Sequence, residues 1–245
     1  MRLMKRILSA AAVLALSASL LVGCSSGTAS SVPVSASSAA ESTVSSVEET
    51  ASSAVDENEA AAAQLLNDLT GSYQELWPVI LADEYKQTWL DDCTALVGEE
   101  NAEAAFEKLS SMVTSDVYGE DAVEAYANGG GAYFCGFTNS LATLTFDGET
   151  STISGTDKDG NVLFSHTYHY IGMEPVHGLY EFESDDADSG EFTYFFLAPD
   201  TSAETYHIEF RYGSDAEALS QYDAGEYAYW VASGISTDCD QTMID

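Results

Sequence analysis

The sequence predicts a fold that is mainly β with added α: a small antiparallel barrel, closed or nearly closed, preceded by a helical N-terminal part. Three observations support this class. Apolar residues recur with helical spacing over residues 61–128. After Gly129-Gly130-Gly131 the spacing changes to a period of two. Short turns then separate the strand-like segments, which favours an antiparallel meander over residues 133–213.

Residues 1–23 predict a lipoprotein signal peptide. Three basic residues precede an apolar run over residues 7–22, which is short for a membrane-spanning helix of about 20 residues. The segment Leu21-Val22-Gly23-Cys24 matches the bacterial lipobox, in which Cys24 becomes the lipidated first residue. The predicted location is therefore the bacterial cell membrane, with the protein lipid-anchored and facing outside the cytoplasm.

A tether is predicted between the anchor and the domain. Residues 24–60 are rich in Ser, Ala, Thr, Val and Glu and contain no aromatic residue. Such a segment cannot bury enough apolar surface to offset its ordering entropy, so we expect it to be disordered. Residues 61–245 are predicted to form one domain, because every aromatic residue lies there.

The charge of the mature chain excludes one class of partner. Four of the seven basic residues and all 41 acidic residues lie beyond the signal, which gives 4 − 41 = −37. Nucleic-acid binding requires clustered Lys and Arg, so nucleic acid is not a predicted partner. The acidic surface attracts cations diffusely, which by itself does not make a metal site.

The helical part, residues 61–128, contains one clear buried face. The apolar residues of that face recur at i, i+3, i+4, i+7, i+10 and i+11: Ala102, Ala105, Phe106, Leu109, Met112 and Val113. Trp77-Pro78 interrupts an apolar stretch, and a turn is predicted there.

The strand half follows in order. Asp147-Gly148 predicts a hairpin, and Asp157 to Asn161 predicts a second turn. Four further strands are predicted in NVLFSHTYHYIGM, GLYEFES, EFTYFFLAP and TYHIEFRYG. A short helix at 216–222 and the apolar segment YAYWVAS complete residues 216–235.

No motif predicts an enzyme. The chain lacks HExxH, GxSxG, a Walker loop and GxGxxG. The Asp157–Asn161 turn resembles the start of a calcium loop but lacks the downstream glutamate. Cys93, Cys135 and Cys239 form no CxxC pair, and the sequence does not choose a disulfide among them.

The four histidines are the remaining candidates for metal ligands. His166 and His169 are three residues apart on one predicted strand, so they face opposite sides and cannot share one ion without a bulge. His177 lies beside a proline-containing turn, and His207 lies on the last predicted strand. Spacing alone favours His207 as a core histidine.

Four segments resemble the ZinT family, zinc-binding proteins that also form the C-terminal domain of AdcA-type lipoproteins. Thr205–Asp215 is similar to the signature strand of the family, which reads His-Phe-His, further strand residues, then aromatic-Gly-polar-Asp. The segment Leu69–Pro78 resembles the family's opening. Tyr168–Gly172 and Tyr180–Glu183 resemble its paired central strands.

The resemblance implies an exported calycin-like (lipocalin-like) barrel that binds zinc through three histidines in the barrel mouth, with His207 facing inward. His207 matches the second histidine of His-Phe-His, whereas Thr205 stands in place of the first. The third family histidine has no counterpart in Tyr194–Pro199.

Two functions follow from this comparison. The first is a metal-binding protein for zinc, or another divalent metal, in uptake or homeostasis, with a metal ABC transporter as a possible partner. Its predicted ligands are His207, Glu209, His169 and His177. Glu209 is two residues from His207 and so shares its face of a regular strand.

The alternative is a barrel that has lost its metal site and serves as a small-molecule-binding or surface interaction module. Its predicted pocket residues are the aromatic side chains Phe195, Phe196, Tyr168 and Tyr206.

Overall fold

The computed structural model describes residues 57–199 and 205–240. The predicted signal peptide, Cys24 and most of the predicted tether lie outside the described residues. The helical part comprises α1 (residues 57–68), α2 (Leu76–Ile80), α3 (Lys86–Val97), α4 (Glu99–Val113) and α5 (Glu120–Ala127). The strands are β1 (Gly71–Glu75), β2 (Thr143–Asp147), β3 (Thr152–Thr156), β4 (Val162–Met173), β5 (Tyr180–Ser184), β6 (Tyr194–Leu197), β7 (His207–Gly213) and β8 (Ala232–Ser236), with α6 (Ala216–Leu219) after β7.

The eight strands form a closed antiparallel barrel, which confirms the predicted fold class. Each strand pairs with the next along the chain, and β8 closes the barrel on β1 through the pair Tyr73 and Ser236. The two predicted turns join β2 to β3 and β3 to β4. Within the second turn, the Asp157 carboxylate accepts hydrogen bonds from the amides of Asp159 and Asn161. These bonds hold the tight reversal and lower the pKa of Asp157, with the bonds from Asn161 as the main cause.

Alternating side chains fill the barrel interior. Residues from every strand are buried in one hydrophobic cluster, including Tyr73, Leu144, Phe146, Ile153, Phe164, Tyr168, Phe182, Phe195, Ile208, Phe210, Tyr212 and Ala232. Because a strand directs successive side chains to opposite faces, these residues define the inner wall. The helix α1 closes the Gly71 end, since Leu65 and Leu66 belong to the same cluster. At the other end, the Glu75 carboxylate accepts a 2.6 Å hydrogen bond from the amide of Phe137.

A second hydrophobic cluster lies between the helices and the outer wall of the barrel. Its buried members come from α2, α3, the end of α4 and the strand side: Leu76, Trp77, Ile80, Tyr85, Trp89, Val113, Cys135, Tyr206 and Ile235. The predicted apolar face of α4 contributes Phe106, Leu109 and Met112 at its margin. We call this second cluster the helical layer.

Two strands and one helix differ from the sequence expectations. Residues 71–75 form β1 inside the helical part, and residues 232–236 form β8 where only an apolar segment was predicted. A five-residue strand gives little periodicity of its own, and pairing with distant β2 and with β8 stabilises β1. The predicted turn at Trp77-Pro78 was wrong, because Pro78 lies in the first turn of α2. The amides of a helix's first turn have no intrahelical hydrogen-bond partner, so a proline, which lacks the N–H group, loses no hydrogen bond at that position.

Within residues 57–199 and 205–240, no helix is long and apolar enough to cross a membrane.

A buried arginine holds the C-terminal segment against the outer wall of the barrel. Arg211 on β7 is fully buried, and its guanidinium donates hydrogen bonds to the carbonyl oxygens of Leu219, Gln221 and Tyr227. The ring of Tyr222 lies 4.2 Å from the guanidinium carbon. Since a buried charge is tolerated only with such partners, Arg211 fixes the segment over β7.

We expect Arg211→Met to lower the free energy of unfolding by about 3 kcal/mol, because three buried carbonyl groups lose their donor. Urea unfolding followed by circular dichroism measures this change. The control is Lys158→Met in the exposed turn after β3, which is expected to leave the midpoint unchanged. Equal midpoints for the two variants would contradict the anchoring role.

Candidate functional site

The strand β7 carries two different faces. Ile208, Phe210 and Tyr212 belong to the barrel core, so the alternate residues His207, Glu209 and Arg211 lie on the outer wall. The implied inward position of His207 in the barrel mouth is therefore wrong. The reason is the register of β7, in which the aromatic and aliphatic residues take the inner positions.

His207 and Glu209 form a close pair on this outer wall. His207 Nε2 lies 3.7 Å from Glu209 Oε1, and their side chains are 11% and 32% exposed. The Nδ1 atom of His207 is 2.9 Å from the carbonyl oxygen of Thr205. A carbonyl oxygen only accepts, so Nδ1 carries the proton, and in the neutral ring the lone pair lies on Nε2, which faces Glu209.

The pair lies at the edge of the helical layer. Ile235, a member of that layer, is the cross-strand partner of His207, and Ser233 is the partner of Glu209. The amide of Ser233 donates a 3.0 Å hydrogen bond to the carbonyl oxygen of Cys135. Cys135 is therefore the neighbour of Ser233 on the side opposite Glu209.

Burial and charge keep the Cys135 thiol protonated. The pKa of Cys135 is raised to about 12, mainly by burial and next by the charge of Glu209, while the side chains of Trp77 and Ser233 act in the opposite direction. A metal ion that used this sulfur would have to displace its proton.

The other histidines have partners of their own. His169 Nδ1 lies 2.8 Å from Asp185 Oδ1, with both side chains 53% exposed. His177 Nδ1 lies 3.4 Å from the buried carboxylate of Glu174, and its ring lies 3.7 Å from that of Tyr222.

His166 shows the opposite orientation to His169, as the spacing of three residues predicted. It faces inward opposite Ile153, and its Nδ1 is 2.8 Å from Asp186 Oδ2.

The four predicted metal ligands do not meet at one point. The structure brings His207 and Glu209 together and directs His169 and His177 to other carboxylates. Within residues 57–199 and 205–240, no three His, Cys, Asp or Glu side chains are grouped so that they could hold a metal ion. Of the four predicted ligands, only His207 and Glu209 therefore lie close to each other.

The aromatic residues of the alternative function are packed side chains. Phe195 and Phe196 are fully buried, and the rings of Tyr168 and Phe195 lie 5.4 Å apart in an edge-to-face contact inside the barrel. Tyr206 belongs to the helical layer instead. These residues fill two cores and do not line one shared pocket.

Comparison with known proteins adds two partial likenesses. No family model matches the chain, and no curated protein matches its sequence. The Zn(II)-bound ZinT-like domain of Streptococcus pneumoniae AdcA is 16% identical over 74% of this chain and 89% of that domain, with a TM-score of 0.46. Zn(II)-bound AdcA from Streptococcus pneumoniae is 16% identical over 71% of this chain, with a TM-score of 0.41. This chain spans 33% of that longer protein, and membership of the ZinT family stays a prediction.

The cysteine environments predict an order of reactivity. None of Cys93, Cys135 and Cys239 forms a disulfide, and only Cys239 is partly exposed. Burial raises the pKa of Cys135, and the thiolate is the reactive form, so this thiol reacts slowly in the folded protein. We expect iodoacetamide to label Cys239 first and Cys135 only after unfolding, as measured by mass spectrometry of the peptides. Rapid labelling of Cys135 in the native protein at pH 8 would contradict this environment.

Proposed function

We propose that this protein is an extracytoplasmic, lipid-anchored binding protein for zinc, or another divalent metal, that serves metal uptake or homeostasis. The ligands proposed from the described residues are His207 and Glu209. The ion is the cargo of the protein and not a structural part of the fold. A metal ABC transporter is the proposed recipient.

The separation of the two ligand atoms supports this function. Two ligands about 2.1 Å from one tetrahedral ion lie about 3.4 Å apart. The 3.7 Å between His207 Nε2 and Glu209 Oε1 is close to that value. The two atoms are therefore already near the separation that one shared ion requires.

The chemistry of the two groups is consistent with zinc. Neutral imidazole and carboxylate are both ligands of Zn²⁺, whereas Ca²⁺ and Mg²⁺ are bound by oxygen ligands. Partial burial strengthens the attraction between the carboxylate and a cation, because the effective dielectric constant falls away from bulk water. Most of the other 40 acidic residues bind cations only diffusely by comparison.

Zinc titration of the full-length protein, purified in a mild detergent, tests the site. We expect binding with a stoichiometry of one, weakened at least tenfold by His207→Ala and also weakened by Glu209→Gln, because each variant removes one ligand. Isothermal titration calorimetry measures both affinity and stoichiometry.

Two histidine variants are the matched controls for this titration. His169→Ala and His177→Ala are expected to leave the zinc affinity unchanged, since Asp185 and Glu174 hold those rings elsewhere. Weak binding of many ions that is insensitive to His207→Ala would refute the site and leave only association with the acidic surface.

The lipid anchor is tested independently of the metal. We expect Cys24→Ala to release the protein from the membrane fraction, because the lipidated residue is lost. Fractionation of cells followed by immunoblotting measures the distribution. The matched control is Cys239→Ala, which keeps the anchor and is expected to remain in the membrane fraction. Retention of the Cys24→Ala variant there would rule out lipidation of Cys24 as the means of attachment.

A further inference from the structure

Three tyrosine rings form a stacked group that is partly exposed to solvent. Tyr126 lies near the end of α5, Tyr133 follows the three glycines, and Tyr229 precedes β8. The rings of Tyr126 and Tyr229 lie 3.8 Å apart and are 15° from parallel. The ring of Tyr133 meets these two rings edge-on, at 6.3 and 5.9 Å. We call these three residues the tyrosine patch.

The backbone holds the patch in place. Tyr229 has a φ of +58°, in the left-handed region that bulky residues rarely adopt, so its position carries a conformational cost. Its amide donates a 2.8 Å hydrogen bond to the carbonyl oxygen of Tyr222, and its carbonyl oxygen accepts a 2.9 Å bond from the amide of Phe134. A Cβ atom on Gly131 would lie 2.5 Å from the ring of Tyr126, so a larger residue there would push that ring out of the stack. Rings that are already fixed lose little entropy when a partner binds.

The hydroxyl groups of the patch have no internal partner. In the described part of the chain, none of the three forms a hydrogen bond with the protein, and none is sealed from solvent. By contrast, the hydroxyl groups of Tyr168 and Tyr212 donate to backbone carbonyl oxygens. A phenol both donates and accepts hydrogen bonds, so the patch presents polar groups as well as ring faces to an outside partner.

The segments that build the patch are acidic. Residues 118–134 and 221–231 contain no Lys, Arg or His, and they carry five carboxylates: Glu120, Asp121, Glu124, Asp223 and Glu226. The ion pairs among the described residues each join a histidine to an acid outside these two segments, so the five carboxylates have no cationic partner there. Three of the five line a groove of about 540 Å³ together with Tyr118, whose ring stacks on that of Phe134 at 5.3 Å.

The chemistry of this surface selects a cationic occupant. The face of an aromatic ring attracts a cation, and the carboxylates around it attract the same charge. A second copy of this chain does not fit, because both copies carry a large excess of acid and repel each other. Arginine suits both features, since its planar guanidinium stacks on a ring and donates hydrogen bonds to carboxylate and phenol oxygens.

We propose that the tyrosine patch is the docking surface for a basic, arginine-containing segment of a partner protein. The segment lies over the tyrosine rings, and the carboxylates of α5 and of residues 223–226 attract its charge. Tyrosine and arginine are among the residues that most often carry the binding energy of protein interfaces. None of the residues involved is a proposed metal ligand, so the docking surface does not depend on metal binding.

A fluorescent hexa-arginine peptide is the probe for the ring contact. Fluorescence polarisation with the full-length protein in a mild detergent measures affinity at about 0.15 M salt, where distant charges are screened. We expect Tyr133→Leu to weaken binding about fivefold, because it removes one aromatic face and keeps an apolar side chain. The matched control is Tyr180→Leu at the start of β5, where a partly exposed tyrosine lies outside the patch and its loss is expected to leave the affinity unchanged.

A pair of double variants tests the charges. Glu120→Gln with Glu124→Gln is expected to weaken binding about threefold, since each exposed charge pair contributes little. The control is Glu99→Gln with Glu103→Gln, which changes the same two positions of α4 and the net charge by the same amount, and is expected to bind as the wild type does. All four side chains are exposed, so this comparison remains decisive even if Tyr133→Leu does not fold.

Three results would overturn the docking surface. Equal losses in the α4 and α5 double variants would mean that the peptide associates only with the acidic surface in general. Equal affinities of Tyr133→Leu and Tyr180→Leu, with both folded by circular dichroism, would remove the role of the rings. Displacement of the peptide by tetramethylammonium chloride, at concentrations where sodium chloride has no effect, would assign the patch to a small ammonium ligand instead of a protein segment.

Discussion

The alternation of side chains along β7 controls the chemistry of the molecule, because the barrel is closed and its interior is filled. Ile208, Phe210 and Tyr212 take the inner positions, so the three polar residues between them can only face outward. A slip of one residue would bury His207, Glu209 and Arg211 inside the hydrophobic core. The cost of burying those groups therefore fixes the register, and the register in turn fixes the position of the candidate site.

The exposure of the outer wall of β7 varies from residue to residue, and the side chain of His207 is 11% exposed. The side chain of Glu209 is 32% exposed, while Arg211 is fully buried beneath the segment that follows α6. The buried guanidinium donates hydrogen bonds to carbonyl oxygens and lies against the face of Tyr222, so these contacts do not occupy the carboxylate of Glu209. Of these three side chains, that of Glu209 is the most exposed, so a cation can reach its carboxylate.

The sequence was sufficient to predict the class of the fold and most of its strands, because alternation and Asp-Gly turns are local signals. It could not identify β1, since the strand is short and depends on pairing with β2 and β8. Likewise, the spacing of the histidines gave no information on Asp185 and Glu174, which hold His169 and His177. Glu209 could be predicted as the neighbour of His207 because i and i+2 share a face of any regular strand.

Under the proposed function, a small number of protein ligands would suit a carrier that releases its cargo. If His207 and Glu209 hold a zinc ion, they would leave positions open to water or to groups of a recipient. The Cys135 thiol would not serve as a ligand while it is protonated, because the thiolate is the metal ligand. Affinity would then depend on the orientation of the two side chains, so residues that orient them would matter more here than in a site with three or four protein ligands.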